Sequence, residues 1–399
     1  MKPAKKLVRE FCSIVTSGGT PSSGNAAYYG GEIPWLRTQE VTFNRIRNTE
    51  ISISEAGLKN SAAKWIPENS VIVAMYGASA GRVAVNTIPL TTNQACCNLI
   101  INADSDFRFV YYALANSFEA LAGSAKGAAQ NNLNAGQVKE FEIPWFPIER
   151  QEAIADRLWQ IDDLIENNRR RIKLLEEAAR LIYREWFVRL RFPRHEHTNI
   201  ENGIPHGWEK LPICSLCETI GGGTPSTKIP EYWDGDIPWV VPSDVTKNSQ
   251  LFLPDTARKI TEAGLRASSA KMLPANSILM SSRASVGYFA LVDKPVCTNQ
   301  GFISIVPHRD SLRLYLLFTL MSRVEEIRSL AGGTTFPEIS KSKFREIQLV
   351  VPTEVHLMEF QEIIGPIVDQ IRVLSLQRLG LVRSRDLLIP RLMSGEIEI

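Results

Sequence analysis

Residues 154–186 read IADRLWQIDDLIENNRRRIKLLEEAARLIYREW. Ten positions in this stretch are spaced alternately four and three residues apart, and nine of the ten are apolar. This spacing is typical of a coiled-coil seam, because it places the apolar side chains along one side of a helix. A helix over residues 149–188 would be roughly 60 Å long at 1.5 Å per residue, so its seam must be buried against another element. The ten positions are Ile154, Leu158, Ile161, Ile165, Asn168, Ile172, Leu175, Ala179, Ile182 and Trp186.

A second heptad pattern occupies the end of the chain and is the natural partner of the first. We expect the two helices to pair antiparallel, because each leaves its own globular domain at its start and the domains then lie at opposite ends of a rod. Asn168 has two interpretations: it fixes the register of the pair, or it lies at a solvated edge. The second series is Leu357, Phe360, Ile364, Ile367, Ile371, Leu374, Arg378, Leu381, Arg385, Leu388 and Leu392.

The segments that precede the two heptads are copies of each other, repeated roughly 205 residues apart. Each copy is large enough to bury its own core. Within each copy, short apolar runs alternate with Gly, Pro, Ser and Asn, which predicts strands joined by loops, followed by one amphipathic helix near 106–121 and 311–329. The matched motifs are GGTPS at 18–22 and 222–226, IPW at 33–35 and 237–239, EAGL at 55–58 and 262–265, and TNQ at 92–94 and 298–300.

These patterns predict an α+β fold with two similar globular domains separated by two long antiparallel α-helices that form a coiled coil. The predicted segments are a first domain at 1–147, a central long helix at 148–192, a linker at 193–207, a second domain at 208–352 and a C-terminal long helix at 353–399.

The composition is that of an ordinary globular protein, with 44% hydrophobic and 22% charged residues among 399. No apolar run approaches the roughly 20 residues of a membrane span, and the start, MKPAKKLVREF, lacks the apolar stretch of a secretory signal. We therefore expect a cytoplasmic protein with reduced cysteines. The net charge of +2 gives no footprint of nucleic-acid binding by itself.

The sequence predicts no catalytic residue and no metal site. It lacks an N/D-P-P-Y/F methyl-transfer motif, an F-x-G-x-G cofactor loop and a G-x-x-x-x-G-K-S/T phosphate loop. The glycines of segment 19–25 have phosphate-loop spacing without the lysine, which favours a structural turn. Cys214 and Cys217 form one C-x-x-C without a second pair and are interpreted as buried thiols, and 195–197 (His-Glu-His) as a solvated linker without a third ligand.

Several motifs together resemble the specificity subunits of type I restriction-modification systems. They are the GGTPS…Y-x-x-G-x-I-P-W start of each copy, RQEAIA at 150–155, REWFV at 184–188 and RDLLIPRLMSGEI at 385–397. The likeness covers essentially the whole chain in the family's domain order. The start of the second helix, EVHLMEF at 354–360, departs from the usual E-Q-x-x-I.

The resemblance implies a non-catalytic DNA-binding subunit whose domains are target-recognition domains, each reading one half of a bipartite, asymmetric site in double-stranded DNA. It also implies that the helices set the unread gap and dock two methyltransferase (modification) subunits, with restriction/translocase subunits joining the complex. No cofactor is then expected in this subunit, since S-adenosylmethionine, ATP and Mg²⁺ belong to the partner subunits, and no membrane is involved.

Two other functions remain open from the sequence. One is an enzyme acting on DNA by itself, such as a fused methyltransferase. The other is a coiled-coil interaction protein whose domains bind protein or carbohydrate. The enzyme would require the cofactor and catalytic motifs that the sequence lacks. Sequence-selective, salt-sensitive binding to duplex DNA separates the DNA-recognition subunit from the interaction protein.

Loop positions that differ between the copies are the candidates for base contacts, because two copies of one scaffold must read different half-sites. Three loops differ: a first loop at 37–39 and 241–243, a second at 76–79 and 282–285, and a third at 126–131 and 332–336. In the major groove, Arg pairs with both guanine acceptors, and Gln or Asn with both adenine edge groups. The base-reading candidates are Arg37, Gln39, Tyr76, Lys126, Gln130, Asn131, Ser243, Arg283, Tyr288, Thr334 and Thr335.

Polar residues are common in loops, so an ordinary surface or turn role is the competing interpretation of each candidate. A second set of basic residues is assigned to phosphate contacts, which position a protein without reading sequence. Trp35 and Trp239, which follow Ile-Pro at matched positions, are interpreted as core anchors in preference to base-stacking rings. The phosphate candidates are Lys59, Lys64, Lys228, Arg266 and Lys271.

Overall fold

A computed structural model describes residues 3–124, 132–248, 250–333 and 337–398. Its contacts separate the chain into two units. Unit 1 comprises Met1–Asp163 and Leu381–Ile399, and unit 2 comprises Leu164–Gly380. Each unit therefore holds one of the two sequence copies together with a part of each long helix.

Unit 1 contains two mixed sheets and a two-stranded ribbon. The strand order is β2-β10-β7-β8-β4 in the larger sheet and β5-β3-β9-β6 in the smaller one, and β1 pairs with β11. Most pairs are antiparallel, whereas β3–β9 and β4–β8 are parallel. The strands are β1 Ala4–Leu7, β2 Cys12–Ser17, β3 Tyr29–Leu36, β4 Asn44–Ile46, β5 Ile51–Ile53, β6 Trp65–Ile66, β7 Val71–Ala74, β8 Val83–Asn86, β9 Leu90–Thr92, β10 Cys96–Ile101 and β11 Glu142–Trp145.

Four short helices complete the globular part of unit 1, and the first long helix begins directly after β11. The Asp106 side chain accepts hydrogen bonds from the backbone N–H groups of Arg108 and Phe109, which sets the start of the second short helix. The helices are α1 Glu55–Lys59, α2 Phe107–Asn116, α3 Phe118–Gly123, α4 Ala135–Lys139 and the 36-residue α5 Ile148–Tyr183.

Unit 2 has the same strand order as unit 1, but each of its two sheets has one edge strand fewer. The order β15-β21-β18-β19 corresponds to β2-β10-β7-β8, the order β17-β16-β20 to β5-β3-β9, and the pair β14–β22 to β1–β11. A single bridge between Phe252 and Leu291 stands where unit 1 has β4. The strands are β12 Ile200–Glu201, β13 Ile204–Pro205, β14 Glu209–Pro212, β15 Cys217–Gly221, β16 Trp233–Val240, β17 Arg258–Ile260, β18 Ile278–Ser281, β19 Phe289–Leu291, β20 Cys297–Thr298, β21 Phe302–Pro307 and β22 Gln348–Val351.

The helices of unit 2 follow the same order. The long helix α5 ends in a π-helical turn, Arg184–Val188. None of the helices in the described ranges is both long enough and apolar enough to cross a membrane. The remaining helices are α6 Pro242–Lys247, α7 Glu262–Arg266, α8 Ser311–Ser322, α9 Val324–Ser329, α10 Lys341–Glu346 and the 40-residue α11 Glu354–Met393.

The expectation of one amphipathic helix near 106–121 and another near 311–329 is wrong. Each is two helices, α2 with α3 and α8 with α9, separated at Ser117 and Arg323, where ψ turns to 13° and 22°. Nor is α8 amphipathic, because Leu312, Leu314 and every residue from 315 to 320 are buried. The alternation of apolar and polar faces is lost in α8, because this helix is covered on nearly all sides.

The two long helices run antiparallel. In unit 1, Ile154 and Leu158 near the start of α5 share a core with Leu392 near the end of α11. In unit 2, Ile172 and Ala179 share a core with residues from the first half of α11, namely Phe360, Ile364, Ile371 and Leu374. All the seam positions of both heptad patterns are buried or half-buried.

Asn168 is 7% exposed, so it does not lie at a solvated edge of the seam. The second interpretation of this residue is therefore wrong, because the side chain is buried. A role in fixing register remains a prediction.

The long helices belong to the same cores as the globular parts. In unit 1 the core that holds Ile154 and Leu158 also contains Phe109 and Leu114 of α2. In unit 2 the core that holds Ile172 also contains Leu316 of α8. Each domain is therefore packed on its helices.

A buried hydrogen-bond centre joins three helices of unit 1. The Asp162 carboxylate on α5 accepts a hydrogen bond from the Tyr112 hydroxyl on α2 at 2.5 Å and from Arg385 Nη1 on α11 at 2.7 Å. Burial, with the charge of Asp162, raises the pKa of the Tyr112 phenol, so this hydroxyl remains a donor. Asp162 is only 13% exposed, so these donors have little access to water as a substitute.

Asp162→Ala is expected to lower the free energy of unfolding by about 3 kcal/mol, since it leaves an arginine and a phenol without their acceptor. Arg385 also pairs with Asp386 at 2.8 Å, but Asp386 is 57% exposed. Asp386→Ala is therefore the matched control, with an expected cost of about 0.5 kcal/mol. Urea unfolding of the full chain measures both, and equal costs would contradict a special role of Asp162.

A second buried carboxylate ties α5 to a loop of unit 2. Glu176 is 7% exposed, and its Oε1 accepts the backbone N–H of Leu251 at 2.6 Å. Its other oxygen lies 3.6 Å from Arg180 Nη2. Burial raises the pKa of Glu176 above its ordinary value of 4.5, although the Leu251 N–H and Arg180 act in the opposite direction.

Glu176→Gln is expected to stabilise the protein at neutral pH. The folded chain holds the Glu176 proton more tightly than the unfolded chain, so its contribution to stability falls as the pH rises from about 4.5 through the raised pKa. The glutamine is uncharged and its carbonyl oxygen still accepts the Leu251 N–H. Unfolding of both proteins across this pH range should show a difference that shrinks towards low pH, whereas Glu177→Gln, at an exposed neighbour, should leave the pH dependence unchanged.

Candidate nucleic-acid interface

The repeated GGTPS segment is a turn held against the aromatic strand of each domain. The Trp35 indole N–H on β3 donates to the Gly19 carbonyl oxygen at 2.9 Å, and Trp239 on β16 donates to Gly223 at the same distance. A Cβ on Gly18 would lie 1.9 Å from the Thr92 carbonyl oxygen, so the turn requires glycine there. Both tryptophans are 4% exposed, which confirms that they are core anchors.

The repeated Thr-Asn-Gln segment lies between the first and second loops. We call residues 92–95 of unit 1 and 298–301 of unit 2 the TNQ strap. In unit 1 the Asn93 N–H donates to the Leu36 carbonyl oxygen at 2.9 Å, directly before the first loop. The Ala95 carbonyl oxygen accepts the Met75 N–H at 2.8 Å, directly before the second loop. The strap therefore fixes the starts of both loops next to each other.

The TNQ strap of unit 2 makes the same connections. The Asn299 N–H donates to the Val240 carbonyl oxygen at 3.0 Å, and the Gly301 carbonyl oxygen accepts the Ser282 N–H at 2.8 Å. A Cβ on Gly301 would lie 2.9 Å from Cγ of Pro242, so the first loop approaches the strap closely. The loops of each copy thus differ in sequence, whereas the segment that holds them is shared.

The residues that directly follow the third loop contact the second loop in both units. In unit 1 the Leu133 N–H donates to the Met75 carbonyl oxygen at 2.8 Å, and Asn132 Oδ1 accepts the Gly77 N–H at 3.3 Å. In unit 2 the Ala284 N–H donates to the Pro337 carbonyl oxygen at 2.9 Å. In each unit the second loop is therefore bordered by the residues that directly follow the third mismatched stretch.

The base-reading candidates of unit 1 differ in how free their side chains are. Arg37 Nη2 pairs with Glu50 Oε2 at 2.7 Å, so its guanidinium is already engaged. Gln39 is exposed, and Tyr76 is 44% exposed. Lys126, Gln130 and Asn131 lie outside the described residues.

In unit 2 the candidates with described positions lie at the surface. Ser243 is exposed on α6, and Tyr288 is 42% exposed just before β19. Arg283 Nε lies 3.6 Å from Glu338 Oε2, in the segment that follows the third loop. Thr334 and Thr335 lie outside the described residues.

The phosphate candidates are all exposed, and within the described ranges none of the five takes part in an ion pair. Lys59 and Arg266 are the last residues of the matched helices α1 and α7. Lys64 and Lys271 follow in the segments that pack on the GGTPS turns, and Lys228 lies just after the second turn. Their side chains are available to anions, but their binding of phosphate stays a prediction.

The C-x-x-C pair was only half correctly predicted. Cys217 on β15 is buried, and burial raises the pKa of its thiol to about 12. Cys214 is exposed, because a short turn at Ile213–Ser215 carries it to the surface. Within the described part of the chain, no three His, Cys, Asp or Glu side chains are grouped in a way that would hold a metal ion.

One exposed arginine lies on a strand, outside the loops that contain most of the predicted base-reading residues. Arg258 begins β17 directly opposite Trp239, and its guanidinium carbon lies 3.6 Å from the ring centroid of Trp233. In unit 1, Ile51 occupies the equivalent place opposite Trp35. The sequence itself shows this difference, because the first copy has an apolar residue and the second a basic residue at matched strand positions.

Comparison with known proteins places the chain in one family. A family model described as the type I restriction modification DNA specificity domain matches residues 4–177 and 205–375. The MjaIX specificity subunit of Methanocaldococcus jannaschii is 40% identical over 152 residues, which is 38% of this chain and 35% of that protein. The HindI specificity subunit of Haemophilus influenzae is 32% identical over 197 residues, covering 49% of this chain and 42% of that protein. The matches thus span less than half of these two relatives.

Other similarities extend over nearly the full length. The MjaVIII specificity subunit of M. jannaschii is 21% identical over 391 residues, covering 92% of this chain and 87% of that protein. The crystal structure of a type I restriction-modification S subunit from M. genitalium aligns with a TM-score of 0.64 at 16% identity, covering 98% of this chain and 99% of that one, so the fold is shared. Because the family model matches both copies and most of the chain, the protein belongs to the type I restriction-modification DNA specificity family.

Proposed function

We propose that this chain is the DNA-recognition subunit of a type I restriction-modification complex and that each globular domain reads one half of a bipartite, asymmetric target. The observation that carries the proposal is the TNQ strap. In each unit this shared segment holds the first and second loops, which differ between the copies, side by side. A constant scaffold with variable neighbouring loops suits two modules that must bind different base sequences in the same manner.

The long helices set the unread gap between the half-sites and dock two methyltransferase subunits. The first long helix supports the docking role, because it presents a further apolar stripe to solvent. Leu174, Leu181 and Val188 follow one another at heptad spacing outside the seam and are 65%, 48% and 59% exposed. Such a stripe suits a helical partner.

The chemistry of the complex resides in the partners, with which the chain acts in the cytoplasm. The methyltransferase subunits supply S-adenosylmethionine for adenine methylation, and the restriction/translocase subunits use ATP and Mg²⁺. The present chain contributes binding energy and selectivity, so it determines which adenines are modified and takes no part in the bond-making step.

Mapping of methylated adenines tests this function. The chain is expressed with its methylating partner in a host that lacks adenine methylation, and the modified positions are sequenced. The expected result is a two-part, asymmetric motif with a gap of constant length. A contiguous motif, or methylation that is independent of this chain, would refute the proposal.

Two substitutions in unit 2 distinguish reading from positioning. Arg283→Ala is expected to relax the requirement for bases in one half of the target, with about 1–3 kcal/mol of discrimination lost at the affected position. Lys271→Ala is expected to weaken binding to all duplexes and to reduce the slope of log K against log salt by about 1. Binding of the complex to duplexes altered in each half measures both, and an equal loss on every duplex after Arg283→Ala would remove Arg283 from the base-reading set.

A further inference from the structure

We propose that Arg258 is a base-reading residue of the second domain and that it binds the major-groove edge of a guanine. The inference rests on the proposed function of the chain. It concerns a strand residue outside the three loops, and it starts from the way this arginine is held before any DNA is present.

The Arg258 side chain lies on a rigid aromatic platform. Its guanidinium carbon is 3.6 Å from the ring centroid of Trp233 and 5.7 Å from that of Trp239. The two indole rings meet edge to face, with their centroids 5.0 Å apart. Trp233 Nε1 donates to the Ser226 carbonyl oxygen at 3.1 Å, so the platform is fixed to the GGTPS turn. Stacking occupies the face of the guanidinium and leaves its N–H edge directed away from the ring.

The guanidinium N–H groups of Arg258 have no partner in the described part of the chain. Arg258 is exposed, and within the described residues its guanidinium has neither an ion pair nor a hydrogen bond. By contrast, Arg37 is paired with Glu50 at 2.7 Å and Arg283 lies 3.6 Å from Glu338. Arg258 therefore needs to break no existing pair to bind DNA, and its orientation is fixed in advance, which reduces the entropy lost on binding.

Its location connects Arg258 to the base-reading loops. Arg258 on β17 pairs with Trp239 on β16, and β16 is the strand that leads into the first loop of unit 2. The N–H of the preceding residue, Ala257, donates to Asp244 Oδ1 on α6 at 3.4 Å, and the same helix carries Ser243. The stacked arginine is thus attached to the structure that presents the first loop.

The difference between the copies favours a base over a phosphate. Unit 1 has the same platform, because Tyr29 and Trp35 meet edge to face with centroids 6.0 Å apart, but Ile51 stands at the position of Arg258. A phosphate contact carries no sequence information, whereas an arginine fork at a position where the other copy has isoleucine gives the two half-sites different chemistry. Guanine offers two acceptors, O6 and N7, that match the fork of an arginine.

The test uses the full complex with its methylating subunits. Selection from random duplexes first defines the target of the parent protein, and binding is then measured to duplexes changed at each position. Arg258→Lys keeps the charge but loses the fork, and Arg258→Ile reproduces the residue of the first copy. Both variants are expected to lose about tenfold in preference, about 1.4 kcal/mol, at one G·C pair in one half of the target and nowhere else.

Controls separate the possible outcomes. Lys259→Ser reproduces Ser52, the equivalent residue of unit 1, beside Arg258 and is expected to change no base preference. Arg258→Lys is expected to keep the salt slope and the affinity for non-target DNA, and thermal unfolding checks that both arginine variants remain folded. A uniform loss on all duplexes, or unchanged preferences, would overturn the role of Arg258. A parent protein that selects no two-part target would instead refute the proposed function.

Discussion

Burial of the apolar stripes on the two long helices is the constraint on which the rest of the structure depends. Exposure of either apolar stripe to water is unfavourable, so each helix must be covered by the other and by a globular domain. Trp186, at the end of the α5 seam, packs with Phe360 of α11 in the core that also contains α8. Because helix and domain share one core, the direction in which each domain leaves its helices is set by side-chain packing.

In each domain the scaffold is the same in both copies, whereas the loops that it holds differ. Glycines that permit close approach, the tryptophan that holds the GGTPS turn, and the TNQ strap recur in both units. Side chains that point outward from the neighbouring loops differ between the copies. A substitution such as Ile51 against Arg258 changes the exposed chemistry and leaves the backbone hydrogen bonds intact. Selectivity is therefore able to change without loss of the fold.

The periodic features of the fold were accessible from the sequence, because heptad spacing and duplication are visible without a structure. The antiparallel order followed from the position of each heptad after its domain. Features that depend on distant neighbours were not accessible. The break at Ser117 carries no Gly or Pro signal, Asn168 offered two interpretations until its surroundings were known, and the Asp162–Arg385 pair joins residues far apart in the chain. Arg258 lies on a strand, outside the loops in which the sequence predicts base contacts.

The composition of unit 1 has a consequence for biosynthesis. Its core includes Leu392 and Met393, which the ribosome delivers only after the whole of unit 2 has been made. The first domain therefore cannot complete its packing while translation continues, although domains generally fold in the order in which they emerge. Until the end of α11 is added, Ile154 and Leu158 lack part of their cover, and a nascent or prematurely terminated polypeptide exposes an apolar surface that chaperones and proteases recognise.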